Sequence, residues 1–112
     1  MSEPIDMSSK VPPELQRTYR EEFQRGVKLF KDSLAEYEKT TDVNKKAKFK
    51  EVMDKSLDAM NKAARGFLKG QNKEFAAQLK TDYQNFLHND TPATYQKLNQ
   101  DIDQLNQISR SA

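Results

Sequence analysis

Few side chains in this 112-residue sequence could do chemistry, and their spacing assembles no familiar reactive constellation. His88 is the only histidine. An imidazole can serve as a general base or a metal ligand, but either role needs partners at defined spacing. His88 falls instead at an expected helix C-terminus, where its charged form suits the helix dipole and can bond the last carbonyls. Acidic pairs stand at Glu21-Glu22 and at Asp101-x-Asp103. Adjacent or alternate helical residues point apart, so neither pair makes a carboxylate dyad by itself, and both read as solvated surface charges. Asp101-Ile102-Asp103 also lacks the glycine and the terminal glutamate of a calcium loop.

The other reactive types add little. There is no cysteine, hence no disulfide and no thiolate metal site. Serines and threonines occupy tails, caps or isolated helical positions, without a nucleophile elbow or a phosphate-binding glycine loop. Asn89-Asp90-Thr91 matches a glycosylation sequon but reads equally as a turn and a helix cap. No catalytic residue, cofactor or metal is expected, and an enzyme is the least expected class.

Lysines are the one concentrated resource. Residues 42–73 hold nine Lys or Arg against four Asp or Glu, within a chain of 19 basic and 17 acidic residues. Lys45, Lys46, Lys48 and Lys50 could form a nucleic-acid footprint. Further along, Glu51 with Lys55 and Asp58 with Lys62 are favourable i,i+4 pairs, so much of the local excess neutralises itself. A phosphate-tracking surface usually carries a stronger net charge than +2, so nucleic acid ranks as the alternative partner.

The elements that must position these groups follow from apolar spacing. Leu15, Tyr19, Phe23, Val27, Phe30, Leu34 and Tyr37 recur every three or four residues. So do Phe49, Met53, Leu57, Met60, Ala64 and Phe67; then Phe75, Leu79, Tyr83 and Phe86; then Tyr95, Leu98, Ile102 and Leu105. Each set lines one face of an α-helix, and no stretch alternates as a strand would. Residues 1–12 lack periodicity and read as a flexible tail. Pro12-Pro13 opens a first helix running to about Lys39, with Gly26 on its apolar face for close approach of a neighbour. Thr41 or Asp42 caps a second helix from about Val43 to Lys69, and Gly70 stops it as a left-handed residue. Asn72 caps a third helix that ends near His88. Thr91 as N-cap with Pro92 at N1 starts a fourth, running to about Ile108. Because the apolar frame keeps its phase through Gly70, one long helix from about Val43 to His88 competes with two; Gly70 and Asn72 favour the break.

The expected architecture is an all-α, antiparallel bundle of about four helices, two long and two shorter, in one domain over 13–112. Its apolar content is only 35%, with mean hydropathy −1.01, so the stripes are narrow or a second chain completes the core. Methionines 53 and 60 and the ten aromatic residues on or near the stripes read as core. The last helix sets Tyr95, Leu98, Ile102 and Leu105 among Gln and Asn, a neutral seam suited to coiled-coil packing on a partner helix inside or outside the chain. No segment approaches the roughly 20 apolar residues that cross a bilayer, and the polar start lacks a Sec-type signal, so the expected location is cytoplasmic, with export by a specialised route as the other option. These features favour a non-catalytic protein-protein interaction module: an adaptor, a small chaperone or an assembly subunit, contacting another protein or itself. Nucleic-acid binding through the four lysines is the first alternative, and a peripheral lipid-surface protein the second.

Overall fold

The computed structural model describes residues 12–68 and 71–111. Among the described residues the fold is four α-helices, α1 (Pro13–Lys39), α2 (Val43–Phe67), α3 (Gln71–His88) and α4 (Pro92–Ser111), with no strand. Two helices are long and two shorter, as the apolar spacing predicts. The reading of 1–12 as a tail lies outside the described residues except for Pro12, which occupies the N-cap of α1.

Contacts along each pair show that neighbours run antiparallel. Tyr19 lies against Gly66, and Gly26 faces Ser56 and Met60, so α2 descends as α1 rises. Gln24 meets Ser109 and Lys31 meets Asp103, which runs α4 against α1. Tyr83 bonds Asp54 across α2 and α3, while Phe86 touches Tyr95 across α3 and α4. The α1–α2 hairpin has the most extensive interface, and the α3–α4 hairpin packs on it.

All four helices feed one core. Phe23, Phe30, Leu34, Met53, Met60, Leu68, Leu79, Phe86, Leu98, Ile102 and Leu105 are its large, fully buried side chains. Aromatic edges tie the diagonal pair: Phe30 meets Tyr83 at 5.3 Å between ring centroids, and Tyr37 meets Phe86 at 5.8 Å. Edge-to-face rings of this kind contribute roughly 0.5–1.5 kcal/mol beyond their buried area.

Helix ends follow cap chemistry. Asp42 accepts hydrogen bonds from the N–H groups of Asn44 at 2.9 Å and Lys45 at 3.3 Å, satisfying two donors that the helix leaves open. Thr91 accepts from the N–H of Thr94 at 3.2 Å, and Thr94 Oγ1 in turn accepts from the N–H of Thr91 at 3.0 Å. This reciprocal arrangement is a capping box with threonine at its second position. Asp42→Ala is accordingly expected to cost about 1 kcal/mol, read by urea denaturation, while Asp42→Asn costs little.

Several boundaries and faces differ from the sequence expectation. The long-helix alternative fails, because α2 ends at Phe67. Leu68 takes an extended conformation (φ −81°, ψ 145°) with its side chain in the core, which ends the helix before Lys69. The stop assigned to Gly70 lies outside the described residues. Asn72 is not the cap of α3, since the helix already begins at Gln71. The fourth helix continues past Ile108 to Ser111, where buried Ser109 accepts from Gln24 of α1 at 3.4 Å. Leu15 and Phe75 leave the core, at 48% and 36% exposure. Leu15 sits in the first turn of α1, where α2 has already ended, and α3 turns Ala76 inward in place of Phe75.

Candidate functional site

The residues singled out by sequence scatter in the fold. His88 is the last residue of α3 and is exposed there. Glu21 and Glu22 are exposed on α1. Asp103 is exposed and pairs with Lys31 of α1 at 3.4 Å. The lysine patch divides in two. Lys46 donates to the Tyr37 carbonyl at 2.9 Å and stands 4.1 Å from the centre of that ring, a cation–π contact. Lys50 pairs with Asp54 at 2.9 Å. Lys45 and Lys48 remain exposed. Half of the cluster is therefore engaged inside the chain. The neutral seam of α4 finds its partner within the same molecule: Leu98, Ile102 and Leu105 are buried in the core, and Tyr95 packs beside them.

Reading Asp101 as a solvated charge is incorrect. It is 7% exposed, because it lies next to Ile102 on the side of α4 that faces α3. Across the seam stands Asp82, 8% exposed. Lys97 reaches Asp101 at 3.2 Å and Asp82 at 4.0 Å, and Gln78 donates to Asp82 at 3.1 Å. Burial, then the neighbouring Asp82 carboxyl, push the Asp101 carboxyl up to about 6 against the opposing pull of Lys97. Bonding to Asp101 in turn raises the Lys97 ammonium above its usual range. A findable signal existed: Leu79-x-x-Asp82-Tyr83-x-x-Phe86 and Leu98-x-x-Asp101-Ile102-x-x-Leu105 put an aspartate at the same place in two adjacent stripes.

Two other polar clusters went unforeseen. Tyr83 donates from its buried hydroxyl to Asp54 at 2.6 Å, and burial with that bond holds the phenol well above its usual range. Glu38, at the end of α1, lies near Asp90 of the α3–α4 turn; desolvation and that neighbouring carboxyl push it up to about 7, against the charge of Lys46.

Among the described residues a concave feature lies between α2 and α3, where the two hairpins meet. One part, about 500 Å³, has Leu57, Tyr83 and Leu87 along its floor and Lys50, Asp54, Lys55, Asp58 and Lys80 among its walls. A second part, about 390 Å³, continues it past Ala64, Ala76 and Ala77 to Arg65; the two share Asp58, Asn61 and Lys80. Lys50, Lys55 and Asp58 are already paired, with Asp54, Glu51 and Lys62. Lys80 and Arg65 have no ion-pair partner among the described residues, so the trough presents net positive charge. Grooves of this shape receive a chain segment more readily than they enclose a small reactant. Comparison with known proteins found no matching family, no similar curated protein and no similar solved structure.

Proposed function

We propose that the protein is a non-catalytic protein-interaction module whose docking face is the trough along α2 and α3. The supporting observation is that trough: an apolar floor, helical walls and two uncompensated cations on the rim. From Lys50 to Arg65 its α2 wall extends roughly 22 Å at 1.5 Å per residue, about four helical turns. The occupant of matching chemistry is an amphipathic helix of another protein, with a narrow apolar stripe flanked by Asp or Glu. Its stripe covers Leu57, Leu87 and Ala77, and its acidic flank meets Lys80 and Arg65.

Selection of displayed helical peptides on the purified protein tests this reading. Acid-flanked amphipathic helices are expected to enrich. Ala77→Arg, which fills the trough from an exposed position, and Lys80→Glu are each expected to weaken the selected peptide at least tenfold with unchanged circular dichroism. Enrichment of no such helix, or binding that ignores both substitutions, rejects the docking face. A low-salt complex with nucleic acid, lost on reversing Lys45 and Lys48, would put nucleic-acid binding in its place.

A further inference from the structure

The docking reading makes no use of Asp82 and Asp101. We infer that these two aspartates hold one proton between them, and that this proton is an acid-dependent latch across the α3–α4 seam. Both carboxyl groups draw on one ammonium, Lys97, which stands 3.2 Å from Asp101 Oδ1 and 4.0 Å from Asp82 Oδ2, and ionised carboxylates only accept, so the two can bond one another only if one of them carries a proton. Both are more than nine-tenths buried, and the Oδ2 atom of each is sealed from solvent without a hydrogen-bond partner. A shared proton satisfies both atoms at once. Without it, two anions face each other in a site of low polarity, balanced by a single ammonium.

The surroundings isolate the pair. On α4 its charged neighbour is Lys97, and on α3 Gln78 contributes an amide donor. On α1, Lys31 is bound to Asp103 and Lys28 lines the same α1–α4 groove beside Asp103, and on α2 Lys50 is bound to Asp54, away from the seam. Asp82 and Lys97 are the charged groups that act on Asp101. A second carboxyl neighbourhood sets Glu38, at the end of α1, against Asp90 of the α3–α4 turn with Lys46 nearby, and Glu38 there titrates somewhat higher, at about 7. Protonation therefore fastens the α3–α4 hairpin at its seam.

The direction of the pH effect follows from which state holds the proton. The folded chain keeps it up to about pH 6 at Asp101, whereas the unfolded aspartate releases it near its ordinary value of about 4. The stabilisation is complete below about pH 4 and is lost as pH rises through 6. For one proton, the unfolding constant rises by up to about tenfold per pH unit across that window.

The test is urea unfolding from pH 4 to 8 in a Glu38→Gln background, which removes the second pair. The unfolding constant is expected to rise with pH over 4–6. Adding Asp101→Asn should flatten that rise, because its amide donates to Asp82 with no proton to lose and its carbonyl still accepts from Lys97. An undiminished rise in the double variant overturns the latch. Carbon NMR titration of the unaltered protein gives a check that needs no substitution. An Asp101 step near pH 6 that also registers at the Asp82 carboxyl carbon supports the shared proton, and an Asp101 step at its ordinary value of about 4 refutes it.

Discussion

Phe30→Ala is expected to lower the unfolding free energy by about 3–5 kcal/mol, the range for truncating a buried phenylalanine. Phe30 has no exposed surface and stands edge-on to Tyr83 across the bundle diagonal. Its removal opens a void that four rigid helices cannot close by a local shift. It also withdraws the ring that supports Tyr83, whose hydroxyl anchors Asp54 on α2. A domain of this size has a total stability of about 5–15 kcal/mol, so the variant should retain little. Urea denaturation reads the effect as a lower midpoint at an unchanged slope. A loss below about 1 kcal/mol, outside the range for such a truncation, would mean the diagonal contact is not the packed centre of the fold.

Gly26→Leu is expected to cost about 1–3 kcal/mol by wedging α1 from α2. A Cβ atom at this position would lie 2.6 Å from Met60 Cγ and 3.3 Å from the Ser56 carbonyl oxygen. The methionine side chain can rotate away, but the carbonyl belongs to the helix backbone and moves only with α2. Replacing glycine inside a helix normally gains up to about 1 kcal/mol, so the sign of the measured change separates helix propensity from interhelix crowding. Met60→Ala makes room, and the double variant is expected to be less destabilised than the sum of the two singles. Simple additivity in the cycle would place the crowding elsewhere.

The latch and the trough lie on different sides of α3. Asp82 faces α4, whereas Lys80, Tyr83, Gln84 and Leu87 face α2. Peptide selection at acidic and neutral pH therefore distinguishes the two. A docking face that fails leaves the proton-linked stability intact, and a missing latch leaves the trough intact.

Local periodicity and cap chemistry were legible because each depends on residues within one turn. Four stripes, Pro13 at N1, a cap at Thr41 or Asp42, Thr91 at the last cap and a break after the second helix could be read before any packing was known, and packing chose Asp42. Gly26 on an apolar face implied close approach, and Met60 and Ser56 supply it. The misread ends share another cause. Leu68 leaves the helix because the core takes its side chain, and α4 gains a last turn where Ser109 meets Gln24. Those outcomes depend on neighbours 85 residues distant in the chain for the serine, and propensity carries no such information.

What the amino-acid order determined by itself was the number, type and approximate extent of the helices, because hydrophobic spacing and capping act over three or four residues. Tertiary structure alone decided which edge of each stripe faces which neighbour. That choice buried Asp82 and Asp101 against one another, tied up Lys46 and Lys50, took the α4 seam into the core, and left Lys80 and Arg65 on an open trough. The physical reason is that a charge acquires its environment from groups brought near in space, and a helix rotated by one residue about its axis, roughly 100°, changes every such neighbour while keeping the same periodicity.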